Sequence, residues 1–309
     1  MRRFVFSALA LLGLSGAAIG SQIGPLVSAP ELQALLQQPE SPLVLDIRGD
    51  AYAQGHIEGA VSAPYGLFRG PAENPGAMVA EDQLQQTLRE LGVTLEQPVV
   101  VVHQGSDDTD FGAAARVYWT LKSSGVSHLA ILNGGMGAWA EAGLPLETRA
   151  NQPTPSQVEI SFSDRWLATT DDIAQAVDGQ SDTRLIDSRP EGFYRGQQAH
   201  PAMSRPGTLP GSENIDHSVW FSDETQVMEA PAAQDLAQRL GIGQQDDVVA
   251  FCNTGHWAAT EWFALSELAG VQDVKLYPDS MVGWSQSGGK MQNTPSLAQN
   301  LLNQIRGKN

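Results

Sequence analysis

The chain contains 309 residues, which is enough for two domains of ordinary size, each with its own hydrophobic core. Its formal net charge at pH 7 is −17, and its composition is that of a globular protein. Such an acidic surface repels nucleic acids and anionic membranes, so we expect neither as a partner. An anionic substrate would have to be attracted by a local cluster of positive side chains.

The first 20 residues differ from the rest of the chain. Arg2 and Arg3 precede an apolar run over 4–19 that ends in small residues. The run contains Gly13 and Gly16, and it is shorter than the roughly 20 residues that a membrane-spanning helix prefers. It predicts a signal peptide at 1–20, and therefore a periplasmic or otherwise exported protein without stable membrane insertion. A single membrane anchor is the alternative.

The remaining chain repeats one order of elements twice, which indicates two duplicated units. In the first domain, predicted at 25–148, the strands are 43–48, 99–102 and 129–132 and the helices are 81–91 and 111–123. In the second, predicted at 164–290, the strands are 184–189, 248–251 and 274–277 and the helices are 232–240 and 258–268. The stretch 149–163 is the predicted linker, and 291–309 is a predicted tail with a surface helix over 297–305.

These elements predict the fold class. Short, continuous apolar strands that alternate with amphipathic helices are typical of parallel sheets covered on both faces. We therefore predict an α/β protein made of two tandem doubly wound domains. Ligands of such open sheets bind beyond the carboxyl ends of the strands. The residue that follows the strand 248–251 is Cys252, which is the only cysteine in the chain.

Cys252 lies where that strand meets a turn and then a helix. Unpaired backbone N–H groups and the positive end of the helix dipole stabilise a thiolate at such a junction and bind an anion beside it. Gly255 permits the tight turn that would aim these N–H groups at one point. An inert core cysteine is the alternative. A single cysteine forms no intrachain disulfide, and no Cys/His cluster or cofactor motif indicates a metal or an organic cofactor.

Several motifs occur once in each unit. The first predicted strand of each unit ends in an Asp/Arg motif, Asp46-Ile47-Arg48 and Asp187-Ser188-Arg189. The GHIEGA sequence at 55–60 has a counterpart at 207–212, and the last turn of each unit, 134–139 and 279–284, contains Gly, Met and Trp. With the Cys252 loop, this order resembles the two-domain rhodaneses, which are sulfurtransferases of the thiosulfate or 3-mercaptopyruvate type. The resemblance covers the chain from about 25 to 290.

The resemblance implies an enzyme in which the Cys252 thiolate attacks the outer sulfur of a small anionic donor, such as thiosulfate or 3-mercaptopyruvate. A persulfide forms on Cys252, and a thiophilic acceptor, such as cyanide or a thiol, removes its outer sulfur. In the first unit, His103 occupies the position of Cys252, so the resemblance makes the first domain a non-catalytic partner. We expect the protein to be a monomer.

The predicted substrate-binding residues are those of the loop after the nucleophile and two arginines: Asn253, Thr254, Gly255, His256, Trp257, Arg195 and Arg205. Arginine binds sulfonate and carboxylate groups well. Arg195 lies in the segment in which the family places a substrate-binding arginine, Arg205 is a second candidate, and an exposed surface position is the alternative for each. His256 either supplies a positive charge or a proton near pH 7 or packs on the helix start, and Trp257 is expected to wall the pocket.

Other residues near the loop are expected to have structural roles. The Asp46/Arg48 and Asp187/Arg189 pairs are predicted ion pairs that fix the strand ends. Ser280 and Met281 are predicted positioning residues of the last turn, and Glu261 is expected to face away from the thiolate. Thiosulfate-type loops carry basic residues after the cysteine and mercaptopyruvate-type loops resemble CG[ST]G. Asn253 and Thr254 match neither pattern, so the loop leaves the donor open.

Two other functions fit parts of the pattern. A phosphatase of the cysteine type needs an arginine six positions after its nucleophile, and this chain has Ala258 there, so that class is disfavoured. A non-catalytic persulfide carrier, which delivers sulfur to a partner protein, needs only Cys252 and its loop. The missing basic loop residues favour the carrier, whereas the intact cysteine and the two candidate arginines favour an enzyme. A purely structural role predicts a thiol that alkylating reagents modify slowly.

Overall fold

The computed structural model describes residues 23–296 and Gln299. The predicted signal peptide at 1–20 and most of the predicted helix at 297–305 lie outside the described residues. Within the described residues, none of the helices combines the length and the apolar character that crossing a membrane requires.

The first domain is a five-stranded parallel sheet with the strand order β1-β5-β4-β2-β3. Its strands are β1 Leu26–Val27, β2 Leu43–Asp46, β3 Val61–Ser62, β4 Val99–Val102 and β5 Leu129–Leu132. Its α-helices are α1 Ala29–Leu36, α2 Glu81–Glu90, α3 Asp108–Ser123 and α4 Gly135–Glu141, and short 3-10 helices span Gly49–Gln54 and Tyr65–Phe68.

The second domain repeats this arrangement as a parallel sheet with the order β7-β6-β8-β9. Its strands are β6 Arg184–Asp187, β7 Glu213–Asn214, β8 Asp247–Phe251 and β9 Asp273–Leu276. Its α-helices are α5 Thr170–Val177, α6 Glu191–Tyr194, α7 Ala230–Arg239, α8 Trp257–Phe263 and α9 Ser280–Gln286, with 3-10 helices at Asp164–Trp166 and His217–Trp220. A single parallel bridge between Leu167 and Leu276 takes the place of the edge strand β1.

The predicted fold class is confirmed, and burial on both faces of the sheets explains the apolar strands. All four residues of β4 are buried, as are the last four of β8. Val99 and Val101 belong to one hydrophobic cluster, whereas Val100 and Val102 belong to another on the opposite face. Alternate residues of a strand point to opposite faces, so a doubly covered strand must be apolar throughout.

Capping side chains explain where the helices differ from the predicted ones. Helix α3 begins at Asp108 rather than at 111, because the Asp107 carboxylate caps it by accepting the N–H of Asp110 at 2.8 Å. The helices α1 and α5 were not predicted, and each begins with a capping box, at Ser28 and at Thr169. The predicted helix 258–268 is α8 continued by a π-helical turn, Ala264–Leu268.

The two domains pack together through α3 and α8. Phe111 and Tyr118 of α3 meet the ring of Phe263 edge-on, with centroids 5.6 and 5.0 Å apart. At the far end of α3, Lys122 forms an ion pair of 2.7 Å with Glu267, whose side chain also accepts from the Tyr118 hydroxyl. One hydrophobic cluster extends through both domains. This contact places the start of α3 against the loop that follows β8.

The predicted linker at 149–163 is irregular in structure and packs along α2. Val158 and Ile160 are buried. The Arg89 guanidinium donates to the Val158 carbonyl at 2.8 Å, and the Ile160 N–H donates to the side chain of Gln85 at 3.0 Å. The linker is therefore bound to the first domain rather than being a free tether.

Candidate functional site

Cys252 directly follows β8, at the carboxyl end of the second sheet, and the hydroxyl of Ser280 holds its loop in place. The N–H groups of Cys252 and Gly255 both donate to this hydroxyl, at 3.0 and 3.1 Å, and the hydroxyl donates to the carbonyl of Tyr277 at 2.7 Å. The N–H of Met281 donates to the Cys252 carbonyl at 3.0 Å. Ser280 and Met281, which begin α9, thus fix both ends of the turn around the thiol.

The remaining amides of the loop are free to bind an anion. In the part of the chain that the structure describes, the N–H groups of Asn253, Thr254, His256 and Trp257 have no protein acceptor. Gly255 adopts the left-handed conformation with φ +64°, which allows the chain to reverse around the nucleophile. Successive unpaired N–H groups at a turn that leads into a helix stabilise a thiolate and an anionic sulfur species bound to it.

Replacing Gly255 with alanine is expected to destabilise the protein for two reasons. A residue with a Cβ is strained at this φ, and the new Cβ would collide with the Arg116 guanidinium and with the Pro278 carbonyl oxygen, 2.6 Å away. Gly241 is a matched control, since it has φ +68° but no atom within 4 Å of the added Cβ. Chemical denaturation should show that Gly255→Ala costs about 1–3 kcal/mol more than Gly241→Ala. Equal costs for the two variants would contradict the close approach of Arg116 to the loop.

A buried ion pair positions the first residue of the loop. Arg189 and Asp187 are fully buried and 2.6 Å apart, and the Arg189 guanidinium also donates to the Asn253 side-chain oxygen at 3.1 Å. The first domain has the same arrangement, in which Arg48 pairs with Asp46 at 2.7 Å and donates to Gln104. The two Asp/Arg pairs therefore connect the end of each first strand to the loop after the neighbouring strand.

His256 connects the loop to the first domain. Its Nδ1 accepts from the Tyr65 hydroxyl at 2.9 Å, and its Nε2 donates to the Thr109 carbonyl at 2.7 Å. Burial and, secondarily, the charge of Arg69 lower the pKa of His256 to about 4. The imidazole is therefore neutral near pH 7, which favours the packing role of His256 over a positive charge, and its role in substrate binding stays a prediction.

Trp257 lies beside the loop as an aromatic wall. Its ring is stacked on His217, with centroids 5.0 Å apart, and lies 5.8 Å from the ring of Phe193. Its indole N–H donates to the Thr109 side chain at 3.2 Å. Trp257 thus joins His256 in fixing the start of α8 against the first domain.

The two arginines predicted to bind the donor are engaged elsewhere. Arg195 is more than half exposed and forms an ion pair of 2.6 Å with Glu191, one turn earlier on α6. Arg205 donates to the Gly289 carbonyl. Their role in donor binding stays a prediction.

Two arginines of the first domain, which the sequence did not indicate, lie close to the loop. Arg116, in the middle of α3, is 1% exposed and donates to the carbonyls of Gly255 at 3.3 Å and Gly76 at 2.9 Å. Arg69 follows the 3-10 helix Tyr65–Phe68, and its guanidinium lies 5.1 Å from the centroid of the Tyr65 ring. The sequence feature that could have indicated Arg116 is its position as the only charged residue of the otherwise apolar stretch 113–119 of α3.

Residues of the first domain close the site. Cys252 is only 1% exposed and Thr254 8%. The segment 70–77 of the first domain packs on the loop so closely that a Cβ on Gly76 would lie 3.1 Å from Thr254. The Asn74 side chain donates to Asp279, beside Ser280, at 2.6 Å. We name 70–77 the strap. A cavity of about 610 Å³ lies elsewhere, between the first domain and Gln226 and Glu229 of the second, and another of about 650 Å³ lies beside the start of the linker.

His103 follows β4 as Cys252 follows β8, but its surroundings differ. It is fully buried, its Nδ1 lies 2.8 Å from the Asp110 carboxylate, and its ring meets Phe111 edge-on. Asp110 also accepts the Gly105 N–H at 2.6 Å, so the carboxylate occupies the amides of this loop. The equivalent loop of the first domain is thus closed by its own side chains, in agreement with a structural role for His103.

Glu261 of α8 is fully buried, and its carboxyl accepts from the Trp220 indole N–H at 2.9 Å. Burial, reinforced by the charge of Asp216, raises the pKa of Glu261 to about 8, although the bond from Trp220 opposes this shift. The carboxyl is therefore largely protonated at neutral pH. It places little negative charge in the helix that follows the thiol.

Comparisons with known proteins identify a family and several relatives that resemble this chain. The family model described as "Rhodanese-like domain" matches residues 28–142 and 169–287. The thiosulfate sulfurtransferase of Azotobacter vinelandii is 30% identical over 262 residues, which cover 84% of this chain and 94% of the relative. The sulfur carrier protein TtuD of Thermus thermophilus is 27% identical and covers 85% and 94%, respectively. The solved structure of an anaerobic ergothioneine biosynthesis enzyme from Chlorobium limicola shares the fold, with a TM-score of 0.76, 19% identity and coverage of 89% and 72%.

Proposed function

Because the chain belongs to the rhodanese-like sulfurtransferase family, we propose that it transfers a sulfane sulfur from a small anionic donor, such as thiosulfate or 3-mercaptopyruvate, through a persulfide on Cys252. The observation that carries the proposal is the loop geometry. Cys252 directly follows β8 and begins a turn in which four N–H groups have no acceptor within the described residues and are free to bind an anionic sulfur. Main-chain amides in this arrangement favour both the thiolate and the persulfide anion.

The transfer takes two displacement steps. With thiosulfate, the Cys252 thiolate attacks the outer sulfur, a new S–S bond forms, and the S–S bond of the donor breaks as sulfite leaves with the electron pair. Cyanide then attacks the outer sulfur of the persulfide, thiocyanate leaves, and the Cys252 thiolate is restored. The residues of the loop and Ser280 hold the nucleophile in place throughout.

A second candidate function is that of a persulfide carrier, which passes its sulfur to a partner protein and turns over small donors poorly. One observation favours it: a relative that matches along most of its length is named a sulfur carrier protein. The carrier and the enzyme share the persulfide and differ in the acceptor.

Intact-mass measurement after incubation with thiosulfate or 3-mercaptopyruvate tests the shared step. We expect the mass of one added sulfur on the wild type and none on Cys252→Ala, since no other cysteine is available. Adding cyanide to the loaded protein then separates the two functions. Rapid loss of the sulfur as thiocyanate supports the enzyme, and a persistent persulfide supports the carrier. Added sulfur that remains in Cys252→Ala would reject the proposed site.

A further inference from the structure

Arg69 and Arg116 are arginines near the Cys252 loop that have no counter-charge within the described residues. Arg205 shares this lack, but its guanidinium is bound to the Gly289 carbonyl. Arg189 and Arg195 each pair with a carboxylate. Within the described residues, Arg69 and Arg116 form no ion pair, and the Nη1 of Arg69 and the Nε of Arg116 are buried without an acceptor. A buried cationic N–H group that lacks an acceptor carries a large desolvation cost, which a bound anion would remove.

The two guanidinium groups concentrate positive charge at the interface of the domains. Burial, followed by the charge of Arg69, lowers the pKa of Arg116 to about 10 and that of His256 to about 4. The same two causes lower the pKa of His200 in the second domain. Asp279, the carboxylate that acts on Arg116, already accepts from Asn74. The charge of both arginines at neutral pH is therefore largely unopposed.

The contacts assign different tasks to the two arginines. Arg116 uses both Nη groups to bridge the Cys252 loop at Gly255 and the strap at Gly76, so it positions these segments. Arg69 lies over the ring of Tyr65, whose hydroxyl holds His256 of the loop. Its Nη1 is buried beside this ring without an acceptor among the described residues.

We propose that Arg69 binds the anionic group of the sulfur donor, an inference that rests on the proposed function, and that Arg116 positions the loop and the strap around it. The donor class that this arrangement selects is a small molecule with a sulfonate or carboxylate group next to its transferable sulfur. A guanidinium matches the oxygens of such groups with charge-assisted hydrogen bonds. The first domain then contributes a specificity-determining residue and is more than a scaffold. It also supplies the local cation that an anion needs on a protein with a net charge of −17.

Persulfide formation from thiosulfate at varied concentration, at fixed ionic strength, tests the proposal. Loss of a charge-assisted contact in Arg69→Gln should raise the half-saturating thiosulfate concentration about 10- to 100-fold, and Arg69→Lys should fall between Arg69→Gln and the wild type. The matched control is Arg149→Gln, which removes an exposed arginine at the start of the linker and should change nothing. A half-saturating concentration that is the same in Arg69→Gln and the wild type would overturn the proposal.

A second measurement does not depend on sulfur transfer. Methanethiosulfonate reagents convert a thiolate into a mixed disulfide with release of methanesulfinate, and they exist as neutral methyl and anionic sulfonatoethyl forms. Arg69→Gln should lower the ratio of anionic to neutral modification rates of Cys252 at least about fivefold, with the neutral rate within twofold of the wild type. An equal change with both reagents would indicate a structural role and overturn the proposal. Failure of thiosulfate to load the wild type would reject the proposed donor, while the reagent ratio would still decide the role of Arg69.

Discussion

Replacing Cys252 with serine is expected to lower the turnover of thiosulfate and cyanide to thiocyanate by at least about a thousandfold. Nucleophiles that carry a covalent intermediate are worth several orders of magnitude in rate, and a serine hydroxyl is not ionised at neutral pH. The transfer needs a side-chain sulfur that can form a bond to a second sulfur. The loop amides alone therefore cannot support the reaction once the Cys252 sulfur is removed. The measurement is steady-state thiocyanate formation with the wild type and the variant at equal concentration.

The fold of the variant must be checked in the same experiment. Serine is close in size to cysteine, and the backbone bonds of residue 252 to Ser280 and Met281 do not involve the side chain. We therefore expect the thermal unfolding midpoint of Cys252→Ser to stay within a few degrees of the wild type. A well-folded variant that retains more than a tenth of the activity would show that Cys252 is not the nucleophile.

The local part of the site could be predicted from the sequence. Cys252 and Gly255 belong to a strand, a turn and a helix that follow one another directly, so their placement depends on neighbours in the chain. The recurrence of the Asp/Arg pairs indicated two copies of one domain, and their predicted role as ion pairs is borne out by the geometry. What the sequence did not show is that Arg189 extends this pair to Asn253 of the loop.

The remainder of the site depends on how the domains dock. Arg116 and Gly255 are 139 positions apart, and their contact exists only because α3 packs on α8. The same docking places Tyr65 and Thr109 on either side of His256 and buries its ring, and this burial lowers the pKa of the imidazole. The pattern of one domain carries no information about the orientation of the other, so the sequence could not indicate that Arg116 of the first domain contacts the Cys252 loop.

The raised pKa of Glu261 predicts that the folded protein loses stability at alkaline pH. The pKa of Glu261 in the folded protein, about 8, is above the ordinary value of 4.5. Between these two pH values the folded state binds more protons than the unfolded state, so the free energy of unfolding falls as the pH rises. The stabilisation is complete below pH 4.5 and is lost as the pH passes through 8. At about 1.4 kcal/mol per pKa unit, the whole effect is on the order of 4–5 kcal/mol.

Glu261→Gln should remove this dependence, because a glutamine oxygen still accepts from the Trp220 indole and the side chain carries no charge at any pH. Chemical denaturation at pH 5 and at pH 8.5 measures the difference in unfolding free energy between the variant and the wild type. We expect this difference to shift by about 3–5 kcal/mol in favour of the variant at the higher pH. The matched control is the exposed Glu229, whose change to glutamine should give the same small difference at both pH values. If the Glu261→Gln difference is also constant, the carboxyl is ionised in the folded protein across this range, and the helix behind the thiol carries a negative charge after all.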